Sequence, residues 1–182
     1  MEKEALRKKY LSKRASLTID DVKKASRVIC EKLLNLPEIQ VANTIAFYNP
    51  ITNEPDLLSL IPDFLKQNKK VYFPRYESSK YVFTQVLDAN NDFVKGKYGV
   101  LEPKKTNPGI NLDTAKEIID IWLVPGIVFD KRNHRIGFGK GYFDRFLNQA
   151  KGYKIGIGYS WQCIAKMPAD KKDVQMDELI LA

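Results

Sequence analysis

The chain has 182 residues, of which 44% are hydrophobic and 29% are charged. This composition excludes collagen-like, low-complexity and wholly disordered proteins, and the length favours a single domain over 1–182. No segment approaches the roughly 20 consecutive apolar residues that a membrane-spanning helix needs, and the charged first residues differ from a signal peptide, so we expect a cytoplasmic protein that does not bind membranes.

The first predicted element is a helix over 2–15, and it carries much of the positive charge. Residues 1–16 hold six basic and two acidic side chains, which is +4 of the formal +8. One apolar stripe of this helix consists of Leu6, Tyr10 and Leu11. Three basic residues lie one or two turns apart on one side: Lys3, Arg7 and Arg14. They fit either a solvated cationic face or an anion-binding role.

The rest of the chain alternates between strands and helices. Thr18 and Asp21 predict a capping box at the start of a second helix, which Pro37 ends. The elements that follow are a strand at 44–48, a loop at 49–55, a helix near 56–67 that Pro62 starts or kinks, a strand at 71–73 closed by Pro74, strands at 81–87 and 118–124, a helix at 142–150 and a strand at 154–159. Segment 88–114 is predicted to be a long irregular flap. This alternation predicts an α/β fold with a mostly parallel sheet and helices on both faces.

Three glycines, Gly137, Gly139 and Gly141, occupy every second position between a buried strand and a helix. Open α/β sheets bind ligands at such places, and glycines let backbone N–H groups approach an anion closely. Arg135 and Lys140 supply cations, so the segment predicts a phosphate-binding site. The P-loop and dinucleotide fingerprints are not met, and a glycine-rich hairpin turn is the alternative.

Acidic, thiol and imidazole groups give a weaker signal. Asp144, on the first turn of the predicted helix, either caps that helix or holds Mg²⁺. Cys30, Cys163 and the single histidine, His134, do not form a metal-binding cluster. We expect two reduced thiols and a solvated turn histidine.

A family resemblance joins these segments. The run Arg135-x-Gly137-x-Gly139-Lys140-Gly141-Tyr142-x-Asp144, after Val-Pro-Gly-x-x-Phe-Asp at 124–130, resembles the 5-formyltetrahydrofolate cyclo-ligase family. Further family features recur in order: Lys3-x-x-x-Arg7, a strand and loop ending in Glu54, Phe73-Pro74-Arg75, Tyr98-Gly99-Val100-Leu101-Glu102-Pro103 and Asp173-x-x-x-Asp177-Glu178. The resemblance spans nearly the whole chain and implies a fold similar to that of ribose-5-phosphate isomerases and coenzyme A transferases.

The resemblance implies a reaction and its ligands. The family cyclises 5-formyltetrahydrofolate to 5,10-methenyltetrahydrofolate with ATP and Mg²⁺ and releases ADP and phosphate. The formyl oxygen takes the γ-phosphoryl group, N10 attacks the activated carbon, and phosphate leaves. Such a transfer depends on positioning and on charge neutralisation more than on a covalent enzyme group. We expect a monomer with small-molecule ligands and no nucleic-acid partner.

The resemblance also assigns residues to roles. ATP would be bound by Lys3, Arg7, Arg135, Gly137, Phe138, Gly139, Lys140, Gly141 and Tyr142. The folate would be bound by Asn49, Glu54, Tyr98 and Tyr142, and Mg²⁺ by Asp144 and Asp173. The expected catalytic residues are Glu54, Arg135, Lys140 and Tyr142.

Several alternatives stay open at this stage. Glu54 also fits a carboxylate at a helix N-terminus, and Tyr98 fits an ordinary half-buried loop residue. Phe143 stands where the family often has tyrosine, and Pro55-Asp56 stands where it often has threonine, which leaves the orientation of Glu54 open. For the whole protein, the charge and the 11% aromatic content also fit a nucleic-acid-binding module. A sugar-phosphate isomerase that needs no ATP is the third possibility.

Overall fold

The computed structural model describes residues 2–96, 100–170 and 173–182. The helices are α1 (Lys3–Ala15), α2 (Ile19–Leu34), α3 (Pro37–Val41), α4 (Ile61–Lys66), α5 (Leu112–Ile118) and α6 (Tyr142–Leu147), with 3₁₀ turns at Leu58–Leu60 and Ser160–Gln162. The strands are β1 (Thr44–Ala46), β2 (Lys70–Glu77), β3 (Lys80–Val86), β4 (Phe93–Lys95), β5 (Leu101–Pro103), β6 (Gly109–Asn111), β7 (Ile121–Pro125), β8 (Val128–Asp130), β9 (Arg135–Ile136), β10 (Tyr153–Gly158), β11 (Cys163–Ile164) and β12 (Glu178–Leu181).

The central sheet has seven strands in the order β12-β10-β7-β1-β2-β3-β6. Neighbouring strands from β12 to β2 are parallel, whereas β3 and β6 join the edge in antiparallel pairs. Ile45 at the centre lies opposite both Val71 and Ile121. The prediction of an α/β fold with a mostly parallel sheet is confirmed.

Helices cover both faces of this sheet because successive strand residues point to opposite sides. On one face Ile45 packs with Ile29 and Leu33 of α2 and with Phe64 of α4. On the other face Ala46 belongs to a cluster that contains residues of α5 and α6: Ala115, Phe146 and Leu147. No helix in the described ranges is long and apolar enough to cross a membrane.

A second sheet of three short strands, in the order β11-β8-β9, lies under α1. Leu6 of α1 packs there with Ile127, Val128, Ile136 and Met167. This small cluster fixes α1 next to the segment that follows β9.

Several predicted boundaries were wrong. Pro74 does not close a strand, because β2 continues to Glu77 in a hairpin with β3. Pro74 lies beyond the last β1 pairing at Tyr72, so its missing N–H does not interrupt that pairing. Segment 88–114 is not a wholly irregular flap, since it contains β4, β5 and β6 and the start of α5. Residue 118 ends α5 instead of opening a strand, and α6 stops at Leu147 instead of 150.

Other local predictions were confirmed or refined. Pro62 stands in the first turn of α4, as expected for a residue that marks a helix start. The second helix ends at Leu34, before Pro37, and Pro37 itself begins α3. The capping box at α2 is present, because the Thr18 hydroxyl accepts from the Asp21 N–H at 3.1 Å and the Asp21 carboxylate accepts from the Thr18 N–H at 3.0 Å.

The capping box yields a test of local stability. Thr18→Ala removes the hydroxyl acceptor and is expected to lower the free energy of unfolding by about 1 kcal/mol. Thr18→Ser keeps the acceptor and should lose less than half of that. Urea unfolding of the three proteins at pH 7 provides the measurement, and equal losses in both variants would show that the cap does not stabilise α2.

Candidate active site

The glycine loop, residues 137–141, connects β9 to α6. β9 pairs with β8 in a short buried hairpin, in which Arg135 lies opposite Phe129. Gly139 has a φ of 88° and Gly141 a φ of 63°, which is the left-handed region that favours glycine. Gly141 immediately precedes α6. The structure therefore places the predicted loop between a buried strand and a helix.

Arg7 of α1 lies against the glycine loop. Its Nε donates a hydrogen bond of 2.8 Å to the Gly137 carbonyl oxygen. A Cβ on Gly139 would lie 3.3 Å from the Arg7 Cζ, so this glycine also allows the close approach of the guanidinium. The Arg7 side chain is 17% exposed, and its Nη1 also pairs with Glu4. A solvated cationic face is thus the wrong interpretation for Arg7.

Lys3, one turn earlier in α1, forms ion pairs with two carboxylates. Its Nζ lies 2.5 Å from Asp173 Oδ2 and 2.6 Å from Asp170 Oδ2. Burial lowers the pKa of Lys3, but the hydrogen bonds to both carboxylates outweigh burial, and the net shift is upward. Burial raises the pKa of Asp173, but hydrogen bonds from the Asp170 N–H and from Lys3 bring it below its usual value. Both groups are therefore charged at neutral pH.

Arg135 is the buried cation beside the glycine loop. Its side chain is 3% exposed, and Nη2 donates to Asp144 Oδ1 at 2.8 Å. Burial lowers the pKa of Arg135, whereas the charges of Asp144 and Asp173 act in the opposite direction. The Arg135 Nε has no hydrogen-bond partner among the described residues. This cation therefore has a buried donor free for a further acceptor.

The charges of the two carboxylates predicted to bind Mg²⁺ both raise the pKa of Arg135, and Asp144 contacts it directly. Asp144 is about one-third exposed and Asp173 about one-fifth. Within the described residues, no group of three or more His, Cys, Asp or Glu side chains is placed to hold a metal ion. Mg²⁺ usually binds one or two protein carboxylates and completes its shell with phosphate oxygens and water. The donor set fits that pattern, with the cations Lys3 and Arg135 beside it.

Lys140 and Tyr142 lie at the exposed end of the loop. Lys140 is exposed, and its carbonyl accepts from Arg145 Nη1 at 3.1 Å. The Tyr142 ring contacts Tyr81 at a centroid distance of 5.1 Å, and the Arg145 Cζ lies 4.9 Å from the ring centroid of Tyr142. Burial and the neighbouring Tyr142 raise the pKa of Tyr81 to about 12. Tyr142 is thus supported by an aromatic pair and presents part of its surface to solvent.

Glu54 is buried and pairs with Arg14. Its Oε1 lies 3.3 Å from Arg14 Nη1, and its Oε2 accepts from the Ile51 N–H at 3.0 Å. Burial raises the pKa of Glu54 to about 7, while the Arg14 charge and the Ile51 hydrogen bond oppose that rise. The alternative interpretation of Glu54 as a helix N-terminal carboxylate is wrong, because the residues after Pro55 do not begin a helix until Leu58 and Glu54 is buried.

The remaining predicted folate residues differ in how far they can be described. The Asn49 Nδ2 donates to the Pro74 carbonyl oxygen at 3.5 Å, and its buried Oδ1 has no partner within 2–96, 100–170 and 173–182. Asn49 thus contacts β2. Tyr98 lies outside the described residues.

Phe138 links the two groups of predicted residues. The Arg14 Cζ lies 5.5 Å from the centroid of the Phe138 ring in the glycine loop. The same guanidinium pairs with Glu54, so the buried Arg14 side chain contacts both the glycine loop and the carboxylate predicted to bind folate.

Sequence reasoning missed the roles of Arg14 and Asn53. Arg14 follows Tyr10 by four positions and Leu11 by three, so it lies on the apolar stripe, and this spacing was the available signal. Its side chain is fully buried, which makes a solvated cationic face wrong here too. Asn53, at φ 55°, donates to the carbonyls of Arg14 and Leu17 at 3.1 and 3.2 Å and thereby ties the Glu54 loop to the end of α1.

Comparison with known proteins decides the family. The sequence profile of the 5-formyltetrahydrofolate cyclo-ligase family matches residues 1–182. The chain belongs to this family. A 5-formyltetrahydrofolate cyclo-ligase of Mycoplasma pneumoniae is 35% identical, over 99% of this chain and 98% of its own length. The predicted membership of the cyclo-ligase family, and with it an enzyme of the ligase class, is confirmed.

Solved structures of cyclo-ligase relatives agree in fold. A 5,10-methenyltetrahydrofolate synthetase from Aquifex aeolicus superposes with a TM-score of 0.87 at 35% identity, over 100% of this chain and 90% of its own. A synthetase from Mycoplasma pneumoniae gives a TM-score of 0.76 at 32% identity, over 99% and 98%. The α/β architecture of the cyclo-ligase chain described above is therefore shared with these relatives along its full length.

The buried carboxyl group of Glu54 makes stability depend on pH. Its folded-state pKa of about 7 lies above the ordinary value near 4.5, so the folded protein holds the proton more tightly. Its contribution to stability is therefore present at pH 4 and is lost as the pH rises through about 7, by roughly 3 kcal/mol in total. The glutamine in Glu54→Gln does not titrate, so this variant should lack the pH-dependent contribution to stability. Urea unfolding of both proteins at pH 5 and pH 8 measures it, and an identical pH dependence in the two would contradict the raised pKa.

Proposed function

We propose that this chain catalyses the ATP- and Mg²⁺-dependent cyclisation of 5-formyltetrahydrofolate to 5,10-methenyltetrahydrofolate, with release of ADP and phosphate. The observation that supports it most directly is the convergence of Arg7 and the buried Arg135 on the glycine loop. Membership of the cyclo-ligase family supports the folate as the acceptor.

The phosphates of ATP would lie at the glycine loop. Arg7, Arg135 and Lys140 bring three positive charges to or beside this loop, and Lys3 brings a fourth near Asp173. The left-handed glycines Gly139 and Gly141 allow a close backbone approach, and with Gly137, Phe138 and Tyr142 they form the proposed nucleotide contact. The unpartnered Arg135 Nε is suited to a phosphate oxygen. Charge neutralisation of this kind is the main requirement of phosphoryl transfer.

Asp144 and Asp173 would hold Mg²⁺ together with phosphate oxygens. When bound, the ion neutralises charge that develops on the transferred phosphoryl group. Asp144 accepts from Arg135 and Asp173 accepts from Lys3, so each carboxylate is oriented by its own cation. Arg135 thereby positions Asp144 beside the proposed phosphate.

The folate would lie towards Glu54, Asn49 and Tyr142, with Tyr98 as a further proposed contact. Glu54 is a buried carboxyl group whose pKa of about 7 suits it to take up a proton near neutral pH. The unpartnered Oδ1 of Asn49 is suited to an N–H donor of the pterin. The Tyr142 ring offers an aromatic surface beside Tyr81.

The proposed reaction has two bond-forming steps. The formyl oxygen bonds to the γ-phosphorus of ATP as the bond to the ADP oxygen breaks. N10 then bonds to the formyl carbon, the carbon–oxygen bond breaks, and phosphate carries away the formyl oxygen. N10 loses its proton, for which Glu54 is the proposed acceptor. No nucleophilic serine or cysteine takes part.

Further predictions about the whole protein stay within this proposal. We propose one cyclo-ligase domain over 1–182 that acts as a monomer on small molecules. A fold of the ribose-5-phosphate isomerase type and a cytoplasmic location stay predictions. A nucleic-acid-binding module and an isomerase that needs no ATP are the alternatives that the assay below addresses.

Absorbance at the methenyl-folate band tests the reaction. The protein is mixed with 5-formyltetrahydrofolate, ATP and Mg²⁺, and parallel samples omit ATP or Mg²⁺. We expect a rise that requires both. If folded protein binds ATP but gives no rise, the glycine loop serves a different acceptor and the proposed reaction is wrong.

Lys140 offers a test of the nucleotide site. Lys140→Ala should raise the KM for ATP by about tenfold, because one charge-assisted contact to phosphate is worth roughly 1.5 kcal/mol or more. Stability should change by less than about 0.5 kcal/mol, since the residue is exposed. The matched control is Lys66→Ala, at the end of α4, where the lysine is also exposed. Wild-type ATP kinetics in Lys140→Ala would remove this residue from the site.

A further inference from the structure

We propose that Arg14 is a positioning residue for the reaction, which favours the ionised form of Glu54 and holds its carboxyl group in a fixed orientation relative to the glycine loop. This inference rests on the proposed function, in which Glu54 takes the proton of N10. It adds a residue that touches neither phosphate nor folate in that scheme and acts through Glu54.

The Arg14 guanidinium is enclosed by groups from three segments of the chain. Nη1 lies 3.3 Å from Glu54 Oε1 and donates to the Gly126 carbonyl oxygen, after β7, at 3.1 Å. The guanidinium carbon lies 5.5 Å from the centroid of the Phe138 ring in the glycine loop. The side chain is fully buried and Glu54 is 2% exposed, so water does not screen the pair.

Of the groups that contact Arg14, Glu54 would be affected most by loss of the Arg14 side chain. The Gly126 carbonyl also accepts from Gln162 Nε2 at 3.0 Å and would stay partnered without Arg14. Asn53 binds the backbone carbonyl of Arg14, so that contact survives a change of side chain. Glu54 would lose the cation with which it is paired. A buried carboxylate without a cation takes up a proton, and a protonated Glu54 no longer accepts one from N10.

One helix joins both halves of the proposed site. Lys3 and Arg7 meet Asp173 and the Gly137 carbonyl, whereas Arg14 meets Glu54. Lys3 and Arg14 are eleven residues apart, so the helical rise of 1.5 Å per residue separates them by roughly 16 Å. α1 is thus long enough to place a proposed phosphate contact at its start and the partner of Glu54, Arg14, at its end.

The two tyrosines that interact with Glu54 stay uncharged across the working pH range. Tyr48 and Tyr159 interact with Glu54, and burial raises the pKa of Tyr48 well above its usual value and that of Tyr159 to about 12. Asp56, directly after Pro55, acts on Tyr48, and Asp21 of α2 acts on Tyr159. Among the described residues, Arg14 is the cation in ion-pair contact with Glu54.

The test measures the titration of Glu54 in the full-length protein. The ¹³C-carboxyl NMR signal of Glu54 is assigned by its absence in Glu54→Gln and is followed from pH 4 to 9. Arg14→Met should move the midpoint upward by about one pH unit or more, because the nearby positive charge is lost. Arg14→Lys keeps a charge and should retain a midpoint close to that of the wild type. An unchanged midpoint in folded Arg14→Met would overturn the proposal.

Kinetics provide the second readout. In Arg14→Met, kcat at pH 7 should fall about fivefold or more and recover towards the wild-type value near pH 9, while the KM for ATP changes less than about threefold. In the Glu54→Gln background the same substitution should have little further effect on kcat, since the two residues act as a unit. A fall in kcat that high pH does not reverse would contradict the assigned role.

The design separates failure of this inference from failure of the proposed function. If the wild-type protein forms no methenyl product, the function is wrong, but the NMR midpoints still decide whether Arg14 controls Glu54. If Arg14→Met does not fold, Arg14→Gln replaces it, because glutamine is neutral and retains hydrogen-bonding groups. An upward shift in Arg14→Gln supports the proposal, and an unshifted midpoint overturns it.

Discussion

The packing of α1 against the small three-stranded sheet is the contact on which the rest of the site depends. Leu6 sits with Ile127, Val128 and Ile136 in a cluster separate from the main core. Because a helix is rigid, one apolar anchor sets the position of every other side chain on it. Lys3, Arg7 and Arg14 therefore reach Asp173, the glycine loop and Glu54 from one helix.

The buried charges of this site are stabilised by ion pairs and not by solvent. Arg135 and Arg14 are both buried, and each has a carboxylate partner, Asp144 and Glu54 respectively. A buried ion pair contributes little net stability compared with apolar packing, but removal of one partner leaves an expensive unpaired charge. Such pairs are thus better explained by orientation of reactive groups than by stability. The unpartnered Nε of Arg135 fits a protein whose ligand supplies the remaining acceptor.

Local signals in the sequence were sufficient where neighbours in the chain interact. The capping box at Thr18, the helix start at Pro62 and the glycine loop depend on residues within a few positions of one another, and all are present. The strand limits at Pro74 and residue 118 were wrong because they depend on pairing partners. Pro74 is tolerated inside β2 since β1 has already ended, and a local pattern does not contain the end of a neighbouring strand.

The sequence by itself determined the α/β class, the family resemblance and most of the charged residues of the candidate site. The tertiary structure decided which of these charges are buried and what they pair with. Arg14 looks like a member of a basic surface helix until packing places it beside Glu54, 40 positions later in the chain. The reason is physical: desolvation and ion pairing depend on distance in space, and residues far apart in sequence acquire that distance only when the chain folds.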